Sequence, residues 1–174
     1  MLAAYGTDAY KIVLVLHILC AIVGFGAVFL NALYGQQSKA RTGPEGLAIA
    51  EANLLVSKVG EYFIYAVFLL GIALVLIGDD VWGFGQTWVW LALTLYIIAL
   101  GISQGLLFPR VHRMIDLQRE MVAGGPPPAD APPGPPAQVV EMEKIGKQLA
   151  IIGPTLNLML VVLIILMVFK PGGP

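Results

Sequence analysis

Apolar residues along this chain gather into four long blocks, at about residues 12–34, 59–78, 87–109 and 148–169, with polar stretches between them. Each block holds close to the ~20 residues that a helix rising ~1.5 Å per residue needs to cross a hydrocarbon core of about 30 Å. Ionisable side chains barely enter the blocks: His17 lies in the first, and Glu61 opens the second. The pattern predicts an all-α fold, a four-transmembrane-helix bundle forming a single transmembrane domain over residues 1–174.

The polar stretches predict how the spans connect. Residues 78–86, Gly-Asp-Asp-Val-Trp-Gly-Phe-Gly-Gln, leave room for nothing but an antiparallel helical hairpin, with Gly78 ending one helix and Gln86 or Thr87 starting the next. Between spans one and two, a turn at Gly35-Gln36-Gln37-Ser38 is followed by Thr42 as N-cap, Pro44 in the first turn and Glu45 as capping-box partner of a helix leading into span two. After Pro109, Val111, Met114, Ile115, Met121 and Val122 recur at helical spacing, so the third span continues as an amphipathic helix. Residues 123–138 then form a Pro/Gly-rich stretch with seven prolines, which lack backbone donors and predict a mobile linker. Helical spacing resumes at Val139, with Glu141, Glu143, Lys144 and Lys147 on a polar face.

Charge sets the expected orientation. Lys39, Arg41, Lys58, Arg110, Arg113, Arg119, Lys144 and Lys147 flank the same ends of the spans, eight of the ten basic residues. The positive-inside rule therefore puts both termini outside and the basic loops and linker in the cytoplasm. The other side has Lys11, Lys170 and the acidic pair Asp79-Asp80, together with Trp82, Trp88 and Trp90 at the expected outer headgroup level. Tyr34, Tyr62 and Phe108 form the expected inner belt. Residues 12–30 lack a basic leader and a small-x-small cleavage site, so they read as a retained first span.

Composition narrows the functional classes. The chain is 58% hydrophobic and 12% charged, with a mean hydropathy of +0.83, far from the balance of a soluble domain. A net charge of −1 supplies no field for nucleic acid, and the single Cys20 admits no intramolecular disulfide. No phosphate-binding glycine loop, His-Glu-x-x-His, Gly-x-Ser-x-Gly or Cys-x-x-Cys motif occurs, so the reading leans away from an enzyme and names no catalytic residue and no metal site.

Candidate chemistry rests on polar groups at membrane depth, where an unsatisfied group costs several kcal/mol. His17, expected at the depth of Thr94 and Tyr96, is either a hydrogen-bonded neutral imidazole or a cofactor ligand for haem b or copper, with Cys20 one turn away. Glu61 is expected to pair with Lys58, one turn earlier, in preference to carrying a proton. Asn31 and Gln104 lie at similar depth and with Glu61 predict a polar layer. Pro154 and Asn157 suggest a local kink in span four. Gly101-Ile-Ser-Gln-Gly105 is a GxxxG pattern suited to close helix approach within the bundle or between protomers, and Gly24 with Gly26 offers a similar surface in span one. His112 and Asp116, one turn apart, are expected to be solvated.

Leu16-His17-Ile18, Pro109-Arg110-Val111-His112-Arg113-Met114 and Leu166-Met167-Val168-Phe169-Lys170-Pro171 together resemble the bacterial integral-membrane family known as domain of unknown function 2269, over about residues 10–171. The resemblance implies a four-helix protein of the bacterial cytoplasmic (inner) membrane. More remotely, Leu16-His17-Ile18 with Gly24 and Gly26 is similar to the first helix of HemJ-type protoporphyrinogen oxidases and CopD-type copper-resistance proteins, a likeness that carries over His17 alone. The reading that follows is an accessory or structural membrane protein acting through helix–helix contacts, with lipid and either itself or a larger membrane complex as partners. The alternatives are a haem- or copper-handling redox protein using His17, and a small transporter with a path past Glu61, Asn31 and Gln104.

Overall fold

The computed structural model describes residues 5–78, 81–125 and 134–173, and all regular structure among them is helical. The acidic pair Asp79-Asp80 and residues 126–133 of the Pro-rich linker lie outside the described residues. Helix α1 spans Asp8–Ala40 and α2 spans Gly43–Leu76. Helix α3, Thr87–Ile102, runs through a π-helical turn at Ser103–Leu107 into α4, Phe108–Gly124, making one continuous 38-residue helix. Helix α5 spans Ala137–Phe169. These four rods are each long and apolar enough to cross a membrane.

At 33 or 34 residues, α1, α2 and α5 are each about 50 Å long, well beyond a ~30 Å hydrocarbon core. The surplus lies at the basic ends. The expected turn at Gly35–Ser38 does not form: α1 continues to Ala40, and only Arg41 and Thr42 separate it from α2. Two contacts close this tight hairpin, a hydrogen bond from Ser38 Oγ to the Gly46 carbonyl (2.8 Å) and one from the Arg41 amide to the Ser38 carbonyl (3.3 Å). Thr42 is the N-cap of α2, yet its side chain makes no cap bond, so the expected capping box with Glu45 is not made. Gly43, at φ +63°, turns the chain into Pro44 in a conformation that L side chains rarely adopt.

The α1–α2 pair is joined along a row of α1 residues spaced seven apart. On α1 these are His17, Gly24, Asn31 and Ser38, and on the antiparallel α2 they meet Gly71, Ile64, Ser57 and Gly46. A methyl group added at Gly24 would lie 3.1 Å from Ile64 Cγ1, and one at Gly60 would lie 2.7 Å from Ala27 Cβ. Lipid tails are as apolar as leucine, so close backbone approach and interhelical hydrogen bonds do the work that burial does in water.

Helix α5 packs against α3 and α4, while α4 also packs against α2. Val67, Ala92, Tyr96 and Leu163 are buried where the spans meet, with Cys20, Phe25, Ile64 and Phe68 packed around them. Beyond the span, Ile115 and Leu117 of α4 are almost wholly buried. Leu117 lies outside the face expected from the spacing, and Met121, placed on that face, is 39% exposed. Ion pairs bind the same end: Arg119 to Glu51 of α2 at 2.8 Å, and Arg113 to Glu141 of α5 at 2.8 Å.

At the opposite end, Ile77 and a buried Gly78 close α2, and Gln86 caps α3. Gln86 holds the turn from within, donating to the Val81 carbonyl (2.8 Å) and accepting from Trp88 Nε1 (3.0 Å). Trp82 stands edge-to-face with Trp88 and Tyr5, at centroid distances of 5.4 and 5.8 Å. The Lys170 ammonium sits 4.0 Å from the Trp82 ring centroid. This cluster ties together the N-terminal end, the second turn and the C-terminal end of α5.

Candidate functional site

Polar side chains at membrane depth fall into separate groups around α2. Tyr96 of α3 is buried and donates its hydroxyl to the Ile64 carbonyl at 2.7 Å, with its ring stacked on Phe68 at 5.5 Å. A carbonyl oxygen has two lone pairs, so Ile64 can accept this bond while keeping its place in the helical ladder. Asn31 of α1 accepts from Ser57 Oγ at 2.9 Å.

The third group brings together two candidates from distant parts of the sequence. Glu61 Oε1 accepts from the Tyr65 hydroxyl at 2.6 Å and from Gln104 Nε2 at 2.7 Å, and Gln104 Nε2 also reaches Tyr65 Oη at 3.0 Å. The expected Lys58–Glu61 ion pair is absent, because the carboxylate is directed toward Tyr65 and the third span. Nor do Glu61, Gln104 and Asn31 make one polar layer: Asn31 pairs with Ser57 in the seam with α1, while Glu61 and Gln104 meet at an exposed flank of α2 and the π-helical turn. Pro109 accounts for that turn. Its ring has no N–H and would clash with a carbonyl four residues back, and widening the preceding turn relieves both problems.

His17 faces α2, not α3. Its ring lies against Gly71, with Cε1 3.2 Å from the position a β-carbon would occupy there. Nδ1 is buried without a partner. The imidazole is thus packed against the backbone of α2. Among the described residues, no three His, Cys, Asp or Glu side chains gather as a metal site. Cys20 packs toward the core.

The other candidates are dispersed. Gly101 and Gly105 face outward, with nothing within 4 Å of an added methyl, so the GxxxG pattern serves no close contact within the chain; the half-buried Gly26 likewise has nothing within 4 Å of an added methyl. Pro154 is accommodated inside α5, and the Asn157 side-chain oxygen is buried without a partner. His112 bonds through Nδ1 to the Phe108 carbonyl and Asp116 to Arg119, so the two do not converge on one point. Tyr65 and Ser57 were not among the sequence candidates. Helical arithmetic finds Tyr65, one turn from Glu61, whereas Ser57 emerges only when α2 is aligned against Asn31 of α1.

Four long apolar helices, with their polar groups bonded chiefly to each other and to backbone carbonyls, define a helical integral membrane protein. The chain belongs to the family described as predicted integral membrane protein (DUF2269), whose model matches residues 11–171. No curated protein and no solved structure matches it.

Proposed function

We propose that this protein is an accessory or structural subunit of the bacterial cytoplasmic membrane, acting through helix–helix contacts with a second copy of itself or with a larger membrane complex. The observation that carries this reading is the outward-facing Gly101–Gly105 pair. These glycines give up helix propensity, roughly 1 kcal/mol each relative to alanine, without any close approach inside the chain to account for it. A small-x-x-x-small surface at lipid depth suits a neighbouring helix. Orientation follows from the basic residues, with both termini outside and the Arg41–Thr42 hairpin in the cytoplasm. A reporter fused after Pro174 tests it, and cytoplasmic activity of that fusion reverses the topology.

Association is tested by native mass spectrometry of the full chain from a lipid-like detergent. Gly101→Leu and Gly105→Leu are expected to shift an assembly to smaller species while helical content is kept. An unchanged mass distribution in both variants would sink the reading.

A further inference from the structure

We infer that Glu61 is a proton-binding site on the flank of the bundle, holding its proton on Oε2 while Tyr65 and Gln104 fix Oε1. Depth is the first observation. Glu61 lies fifteen residues before Leu76 at the end of α2, about 22 Å along the axis, and Gln104 lies at a comparable distance from Thr87 at the start of α3. With the Trp82 and Trp88 cluster at one headgroup level, both residues fall within a ~30 Å core, toward its basic end.

The donor count is the second observation. The Tyr65 hydroxyl donates to Glu61 Oε1, and the Gln104 amide divides its two protons between Glu61 Oε1 and Tyr65 Oη. The donors of the cluster are thus spent, whereas Glu61 Oε2 and Gln104 Oε1 remain as acceptors among the described contacts. An ionised carboxylate on a lipid-facing flank is costly, and a proton on Oε2 removes the charge without moving a side chain. The π-helical turn that Pro109 imposes is the third observation: it lies where Gln104 reaches across to Glu61 of α2.

The charged and titratable groups around Glu61 are few. On α2 they are Lys58, one turn before, and Tyr65, one turn after. The third span presents the neutral Gln104, and its next charge, Arg110, is engaged by Gln148 Oε1 of α5 (2.7 Å) and the Leu106 carbonyl (2.7 Å). Helix α1 contributes the neutral Asn31 on its own side of α2. Proton exchange is therefore governed by the bonds at Oε1 and by access along the flank.

The test is labelling with a lipid-soluble carbodiimide, using the full chain in phosphatidylcholine vesicles. The protonated carboxyl transfers its proton to one carbodiimide nitrogen while its oxygen adds to the central carbon. The O-acylisourea rearranges to a stable N-acylurea, and the residue gains one whole reagent with no leaving group. We expect modification at Glu61 that declines as pH rises through a single midpoint, with Glu45 and Glu51 on the helix extension unlabelled. Tyr65→Phe and Gln104→Leu each remove a bond to Glu61 Oε1 and should change the extent of labelling at a fixed pH. Absence of Glu61 labelling from pH 5 to 9, or equal labelling of Glu51, would overturn the site. Protection by sodium ions at constant pH and ionic strength would overturn the proton in favour of a metal cation, and labelling unchanged in both variants would overturn the roles of Tyr65 and Gln104.

Discussion

Ser57 donates its hydroxyl to the Asn31 side-chain oxygen across 2.9 Å, joining α1 to α2 at a point where each presents a polar group in an otherwise apolar stretch. The bond lies seven residues along from the Gly24–Ile64 approach, so it belongs to the packing register. Removing either partner leaves the other exposed to a medium that cannot satisfy it. Asn31→Ala and Ser57→Ala are each expected to lower stability by about 0.6 kcal/mol and by no more than about 1.7 kcal/mol, the average and the maximum for interhelical hydrogen bonds in membranes. A double-mutant cycle by reversible unfolding in mixed micelles should show coupling of similar size, and additive losses would contradict the bond.

Glycines in this chain divide into two kinds, and substitution separates them. Gly60→Ala places a methyl 2.7 Å from Ala27 Cβ, so the helices must part, at a cost of about 1–3 kcal/mol. Gly101→Ala meets nothing within 4 Å and should leave the single chain as stable or gain up to about 1 kcal/mol from helix propensity. Thermal unfolding under monomeric detergent conditions distinguishes them, and equal effects would contradict the packing assigned to Gly60.

Tyr96→Phe deletes the buried donor to the Ile64 carbonyl while keeping the ring stacked on Phe68. The carbonyl retains its helical role, so the loss should be modest, about 0.5–1.5 kcal/mol. Tyr96→Leu removes the ring contact as well and should cost more in the same unfolding assay.

At the basic end, the Arg113 guanidinium, hydrogen-bonded to Glu141, holds that carboxyl below its ordinary value of 4.5. A carboxyl lowered in the folded state contributes stability that is complete above the unfolded value and is lost as pH falls through the folded one. Both groups are half-exposed, so the effect is local. A spin-label pair on α4 and α5 near these residues should report loosening below pH 4.5, and Glu141→Gln should show the looser state already at pH 7.

Lys170→Ala removes the cation from the face of Trp82, worth about 0.5–1 kcal/mol at an exposed site. The expected readout is a change in tryptophan emission with helical content unchanged. No emission change on removing the lysine would argue against the contact.

The four spans were legible because their period and length are fixed by the bilayer and survive without any knowledge of partners. The end of α1 was not: Gly35-Gln36-Gln37-Ser38 has turn-forming composition, yet the neighbouring α2 extension gives Ser38 a carbonyl to bond and draws the stretch into the helix. Glu61 was assigned to Lys58 from spacing on its own helix, which is all that one helix reveals. Its meeting with Gln104 depends on how the third span lies and on the widened turn before Pro109, both tertiary facts. His17 stood out as a lone imidazole, whereas the feature that explains its position, Gly71 opposite, is an ordinary glycine until the two helices are aligned.

The two-residue join at Arg41 and Thr42 leaves α1 and α2 no slack with respect to each other. Held by one seam, they extend together beyond the apolar span and are strapped to α4 by Glu51 and Arg119. With that strap at one end and the Trp82–Lys170 contact at the other, the α1–α2 hairpin is fastened to the remaining spans at both ends of its length.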